Sequence, residues 1–341
     1  MQDGHKHFWV VRDGLHRDPG PLRGAVVAIG NFEGVHRGHR VVIGKAVGLA
    51  RALGRPAAVL TFEPHPRAYF RPQEPVFRLS DECAKLRLLA ATDLDGAIIL
   101  RFNQELAGLS AEAFVEQVLR RQLAIGGAVI GFDFHFGEGR RGTPQFLAAT
   151  GAREGFAVEI VPEVKNLGAA ASGARRFSSG AVRSALAAGD VADAADLLGY
   201  PWFVSGSVRH GDARGRELGF PTANLALEPG CQLRHGIYAV RVGIGERRFG
   251  GVASFGRRPT FDNGVVLLEV FVFDFAGDLY GQSLDVAFIG WIRPELKFES
   301  VADLVKRMNE DASEARAMLA AAGNAFPPLA AGRDVCADTA P

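Results

Sequence analysis

Cysteine is scarce in this chain of 341 residues: Cys83, Cys231 and Cys336 are far apart and odd in number. Such usage argues against a disulfide framework and against a cysteine-built zinc site. Net charge is nearly absent as well, at +1, so no global field draws the protein to nucleic acid or an anionic membrane, and any phosphate must be bound locally. No apolar run reaches the roughly twenty residues a bilayer-spanning helix needs. The opening "MQDGHKHFWV" carries no signal-peptide core, so a reducing cytoplasm is the expected location. Internal repeats are missing too. What is present is material for a core, with 48% apolar and 23% charged residues, the profile of a globular protein. The length favours two domains.

The front of the chain alternates short apolar runs with amphipathic ones. "AVVAIG" (25–30), "AAVLTF" (57–62), "GAIILRF" (96–102), "GAVIGF" (127–132) and "FAVEIVPEV" (156–164) read as strands. Helices are expected between them, at 40–53, after Ser80, from Ser110 to 123 and from Thr143-Pro144, each of the last three opening on a cap residue. Strands alternating with helices predict a parallel sheet covered on both faces. The stretch 166–180 reads as a loop, and a short helix is expected between Asp190 and Gly199. From 201 to about 292 the pattern changes to strand-like pieces punctuated by Gly, Pro and Asn-Gly, which predicts an antiparallel barrel or sandwich. A helix over 300–322 is long enough to pack across it. The expected division is 1–186, 187–322 and a disordered tail, 323–341.

The segment "AIGNFEGVHRGHR" (28–40) stands where a strand hands over to a helix. With a helix starting near Gly38, His36 and His39 at i and i+3 point the same way. Free backbone N–H groups at a helix N-terminus bind anions, and Gly34 and Gly38 let the backbone approach a phosphate. Two imidazole donors beside that site suit a triphosphate and the charge that develops at an attacked phosphorus. These glycines do not form G-x-G-x-x-G, which disfavours a dinucleotide dehydrogenase. A structural loop with surface histidines is the plainer alternative.

"GNFEGVHRGH" (30–39) resembles the H-x-G-H signature of the nucleotidyltransferase superfamily. More narrowly it resembles that of the bacterial bifunctional riboflavin kinase/FAD synthetases. The narrower likeness rests on further segments in order: "TFEPHPRAYF" (61–70), "GFDFHFGEGRRG" (131–142), "SSGAVR" (178–183), "GRELGFPTANL" (215–225), "GVASFGRRPTF" (251–261), "LLEVFVFDFAGDLYG" (267–281) and "RPELKF" (293–298). The resemblance implies a Rossmann-like nucleotidyltransferase domain in front that adenylylates FMN to FAD. It implies a riboflavin-kinase β-barrel behind that makes FMN. Both would use ATP and Mg²⁺.

By that likeness Gly30, Asn31, Phe32, Gly34 and Gly38 surround ATP with the two histidines. Phe62, Pro64, His65, Pro66 and Phe70 suit the isoalloxazine, since prolines fix the loop and aromatics cover the ring; a rigid turn after a buried strand is the alternative. Asp133 and Phe136 would border the same flavin site, beyond the strand ends where sheet ligands bind, although alternating Phe is also what a plain core looks like. Ser178, Ser179 and Arg183 offer hydroxyls and a guanidinium to a triphosphate, or simply an N-cap and a solvated arginine. Two positions depart from the usual pattern. Gly180 stands where Thr is common, which removes one hydroxyl, and Glu33 stands for Asp, which keeps the charge on a longer arm.

In the rear, Thr222 and Asn224 are two positions apart in an extended segment and so share a face. Their hard oxygens suit Mg²⁺, and the likeness gives them that role. It sets Gly211, Gly215, Arg216, Gly219, Phe220 and Pro221, with Thr222, around the nucleotide. A Pro-initiated turn is the alternative. Glu269 stands among apolar neighbours in "VVLLEVFVFDF"; burial there would raise its pKa toward that of a working base, whereas an edge-strand glutamate facing solvent would do nothing. The likeness makes it the base that takes the ribityl hydroxyl proton and places Arg293 near the flavin.

Overall fold

The structure is a computed structural model that describes residues 7–74, 76–166, 175–210, 219–227, 230–257, 266–330 and 334–336. The chain divides into two compact units. One comprises Met1–Val76, Asp81–Phe177 and Leu329–Pro341; the other comprises Phe77–Ser80 and Ser178–Pro328.

In the first unit, β1 (Trp9–Arg12), β2 (Val26–Ile29), β3 (Ala57–Glu63), β4 (Gly96–Arg101), β5 (Gly127–Gly131) and β6 (Ala157–Val161) form a sheet in the order β1-β4-β3-β2-β5-β6. Every pairing in it is parallel. The five expected strands are all there. β1 was not anticipated, because its four residues are too short to show a period; Trp9 pairs with Gly96, where an added Cβ would fall 2.3 Å from the Trp9 carbonyl oxygen. β2 is buried at all four residues and β4 at all but its last, as expected for strands covered on both sides. Val27, Leu60, Ile98, Ile130, Val118 and Leu147 are among the residues of the core between sheet and helices.

The covering helices are α1 (Arg37–Leu53), α2 (Pro66–Phe70), α3 (Glu82–Ala90), α4 (Gln104–Ala107), α5 (Ala111–Ala113, continuing in wider π-type turns over Phe114–Gln122) and α6 (Pro144–Glu154). Ser110 and Thr143 cap as expected, each accepting a backbone N–H three residues on. The cap of α3 is Asp81 rather than Ser80, its carboxylate accepting from Ala84 N at 2.7 Å. The loop expected over 166–180 contains two short antiparallel strands, β7 (Lys165–Asn166) and β8 (Arg175–Arg176); residues 167–174 lie outside those described.

Two expectations are corrected here. Cys83 on α3 is joined to Cys336 by a disulfide across 253 residues, although the count and spacing of cysteines argued against any. The segment expected to be a disordered tail thus has described residues that are tied down: Cys336 also offers its carbonyl to Arg12 Nη2 at 3.1 Å, and Ala330 N donates to Arg87 O at 3.2 Å.

In the second unit, α7 (Ser179–Ala188) and α8 (Val191–Leu198) precede the barrel. Asp190 caps α8 and Gly199 ends it, as expected. The boundary expected after residue 186 falls inside α7; the units divide instead between Phe177 and Ser178. The reason is that α7 buries Val182, Ala185 and Leu186 and packs with α8. Residues 77–80 join the same unit, where Trp202 Nε1 donates to Leu79 O at 2.8 Å and its ring stacks on Phe288.

The barrel is formed by β9 (Phe203–Ser207), β10 (Thr222–Ala226), β11 (Gly236–Ile244), β12 (Arg247–Arg257), β13 (Val266–Val272) and β14 (Ser283–Arg293), in the order β10-β13-β12-β11-β14-β9. All its pairs are antiparallel. A bridge between Arg209 and Asn224 brings its two edges near closure. Val240, Phe255, Leu268, Val270 and Phe288 fill the inside, each 0% exposed. The last helix, α9 (Val301–Ala321), opens on the Ser300 cap and packs on the opposite face, against Ala239, Val252, Phe271 and Phe273. Among the described residues no helix is long and apolar enough to cross a membrane.

Candidate active sites

The first unit has its strand-order reversal at β2, with β3 on one side and β5 on the other. Ligands of open α/β sheets bind beyond the strand C-termini at such a point, and the H-x-G-H segment occupies it. α1 begins at Arg37, one residue before the expected start, with His36 itself as the N-cap. His36 Nδ1 accepts from His39 N at 3.2 Å, so its proton resides on Nε2. The two imidazoles stack, with centroids 3.6 Å apart and planes 16° from parallel.

The loop before the helix is strained. Phe32, Gly34 and Val35 all have positive φ (49°, 67° and 37°), a conformation costly for Phe and most of all for β-branched Val. Phe32 is buried edge-on against His39, with centroids 5.3 Å apart. Position 38 is tightly packed: a Cβ there would sit 3.2 Å from the His36 ring and 3.3 Å from Phe177 Cβ, so those neighbours would have to give way by a few tenths of an ångström.

Burial, and then the nearby Arg176 guanidinium, hold the His36 imidazole down at about 4. Burial, then His36 and Lys85, hold His39 well below its ordinary value. Both rings are therefore neutral near pH 7 without ligand, and His39 Nδ1 is buried with no hydrogen-bond partner. A triphosphate would reverse the electrostatics by favouring protonation.

Around the pair, Asp133 engages Arg176, whose guanidinium also lies over the Phe132 ring at 4.9 Å. Glu33 is 5% exposed, with Oε2 3.8 Å from His65 Nε2, so the longer acid at this position reaches a basic partner. His65 caps α2 through Arg67 N, and the Glu63–Pro64 peptide is cis. Phe62, Tyr69, Phe70 and Phe102 form an edge-to-face aromatic group, in which Phe70 is exposed. Phe136 belongs instead to the core, packed on Phe114, Phe134 and Phe146, and Phe132 is the exposed ring of that segment. Lys85, Glu63, Thr61 and Arg176 were missed from sequence, since an isolated Lys in a leucine-rich helix reads as a surface residue. Ser178 caps α7 through Ala181 N and Arg183 donates to Phe77 O at 2.6 Å; with Ser179 they belong to the second unit.

In the second unit the ladder register does the assembling. Asn224 on β10 faces Glu269 on β13, which faces Ser254 on β12, and Thr222 faces Phe271. Directly opposite residues of antiparallel strands share a face, here the one covered further along by α9. Glu269 is half-buried there. Asn224 is 7% exposed and its carboxamide oxygen has no hydrogen-bond partner. An orphaned hard oxygen beside Thr222 fits a cation such as Mg²⁺. No cluster of three His, Cys, Asp or Glu suited to a metal occurs among the described residues.

Gly219, at φ +82°, leads into β10, and the Phe220 ring stands edge-on to Phe271. Gly211, Gly215 and Arg216 lie outside the described residues. Arg293 directs its fork inward: Nε and Nη2 donate to Asp311 at 2.8 and 2.6 Å, and Nη1 to Pro294 O. That bidentate pair fastens α9 to β14. Glu295 was not anticipated: burial and the charge of Glu269 raise its carboxyl against the pull of His235 and Arg293, and it fills the space where any Cβ on Gly256 would go.

Two family models match in the same order as the units, FAD synthetase over residues 19–175 and riboflavin kinase over 198–319. A bifunctional riboflavin kinase/FMN adenylyltransferase of Pseudomonas fluorescens is 41% identical over 90% of this chain and 97% of its own length. One from Escherichia coli K12 is 38% identical over 89% and 96%. A solved structure described as a macrolide-efflux protein from Streptococcus pneumoniae superposes with a TM-score of 0.79 at 30% identity, covering 90% of this chain and 98% of that one. With both modules present and relatives matched nearly end to end, the chain belongs to the family of bifunctional riboflavin kinase/FMN adenylyltransferases.

Proposed function

We propose how the residues of this chain divide the two reactions of its family. The chain phosphorylates riboflavin to FMN and adenylylates FMN to FAD, drawing on ATP for both. In the first unit the FMN phosphate oxygen attacks the α-phosphorus of ATP; a new P–O bond forms as the bond to pyrophosphate breaks. His36 Nε2–H and His39, with the α1 N-terminus behind them, stabilise the charge on the attacked phosphate. No covalent intermediate is required. The aromatic group of Phe62 and Phe70 with Pro64, His65 and Pro66 supports the flavin, and Asp133 borders it through its pairing with Arg176. Gly30, Asn31, Gly34 and Gly38 keep the loop close to the nucleotide.

In the barrel, Glu269 takes the proton from the ribityl hydroxyl as its oxygen attacks the γ-phosphorus and ADP leaves. Thr222 and Asn224 would hold Mg²⁺, which when bound neutralises phosphate charge. Gly211, Gly215, Arg216, Gly219, Phe220 and Pro221 are proposed to embrace the nucleotide, and Arg293 to act on the flavin side by holding α9 in place. The proposed location is the cytoplasm.

The observation that carries this division is the stacked imidazole pair at the helix N-terminus beyond β2. Incubation with riboflavin, ATP and Mg²⁺, followed by chromatography of the flavins, tests it. FMN and FAD together are expected; FMN alone would remove the adenylyl-transfer assignment, and unchanged riboflavin would remove the phosphorylation assignment, after which FMN supplied directly with ATP and Mg²⁺ tests adenylyl transfer by itself.

A further inference from the structure

The first unit contains a buried cation that the mechanism above does not use. Lys85 on α3 is 3% exposed. Its ammonium donates to Glu63 Oε1 at 2.7 Å and to Thr61 Oγ1 at 3.3 Å. The Thr61 hydroxyl in turn donates to the Asn31 carbonyl at 3.2 Å. Glu63 and Thr61 lie two apart on β3 and so share a face, and Asn31 belongs to the strained loop that delivers His36. One chain of hydrogen bonds thus runs from α3 through β3 to the H-x-G-H loop. Lys85 is also one of the charges that hold the His39 imidazole down, after burial and His36.

A buried ammonium is costly to desolvate, and an apolar side chain of similar volume would often stabilise the fold as well or better. α3 does not need it for capping, which Asp81 provides. The loop, by contrast, holds Phe32 and Val35 at positive φ, and such conformations persist only where surrounding contacts over-determine them.

We propose that Lys85 is a positioning residue for adenylyl transfer, its ammonium bracing Thr61, Glu63 and the Asn31 carbonyl so that the stacked His36–His39 pair is held ready for the triphosphate. This rests on the assignment of that pair to the reaction. Lys85 touches no reacting atom; it acts through the loop and through His39.

The test uses the full chain, with riboflavin phosphorylation by the second unit as an internal control. Lys85→Met should lower kcat for FAD formation by at least about tenfold, the scale of a misplaced reacting group. The KM for FMN and for ATP should stay within about threefold, because the binding surfaces remain. Lys85→Arg, which restores a cation, should recover a large part of the loss. Since Lys85→Met removes the ammonium that donates to the Glu63 carboxylate, the double variant Lys85→Met/Glu63→Met removes both members of that pair and keeps the interior packed.

A folded double variant with normal FAD turnover would overturn the proposal, as would a Lys85→Met protein that keeps more than half its kcat. Loss of kcat that Lys85→Arg fails to relieve would also count against it. His39→Ala separates the two ideas: if it stays active, the imidazole assignment fails, whereas an inactive His39→Ala beside a fully active Lys85→Met refutes only the role of Lys85.

Discussion

Acid should unfold the first unit through its imidazoles, and His36 permits the size of the effect to be worked out. The unfolded chain binds the His36 proton near 6.5, whereas the folded protein binds it only near 4. Between those values the unfolded state holds more protons, so falling pH favours it. The stability that comes from keeping this ring neutral is complete above about 6.5 and disappears as pH drops toward 4. Taking the pH from about 7.5 to about 5 removes roughly 2 kcal/mol through His36 alone, with roughly 3 kcal/mol as the limit at lower pH. His39 acts in the same direction, because it too is held down by burial.

Urea unfolding across this range, followed by fluorescence, measures the slope. Titrating groups away from the stacked pair contribute equally to wild type and to a His36→Gln variant, whose amide can still accept from His39 N. The difference between the two profiles reports the His36 imidazole together with its influence on His39. Parallel profiles, or an NMR titration that finds His36 protonating near its ordinary value, would refute the reasoning. Bound ATP should flatten the wild-type profile, since its phosphates favour the charged ring.

Three further outcomes are expected. Glu269→Gln should lower FMN formation by roughly a hundred- to ten-thousandfold, with riboflavin binding intact by fluorescence quenching; turnover above about a tenth of wild type would dismiss the base. Asn224→Ala should raise the Mg²⁺ concentration needed for half-maximal FMN formation by roughly tenfold, and an unchanged magnesium titration would dissociate Asn224 from the metal. Under oxidising conditions Cys336→Ser should cost roughly 2–4 kcal/mol of stability, read by thermal unfolding; equal melting of the oxidised wild type and the variant would show that the Cys83–Cys336 cross-link adds nothing.

Much of this protein was legible from local patterns. The alternation of apolar runs and amphipathic segments implied a parallel sheet in front, and the caps at Ser110, Thr143 and Asp190 marked where helices begin. These signals are readable because they act between residues only a few positions apart. The H-x-G-H spacing is of the same kind, and it sets His36 and His39 one helical turn apart. Tertiary structure decided the rest. Alternation of Phe with polar residues could not say that Phe136 enters the core while Phe132 stays outside. Asn224 and Glu269 become neighbours only through the register of β10 on β13. Lys85 became visible as a buried cation only once α3 lay against β3. Arg293 turned inward because α9 offered Asp311. Cys83 and Cys336 meet only because the tail returns to the first unit. Each of these depends on contacts between segments distant in the chain, which hydrophobic periodicity and capping chemistry do not encode.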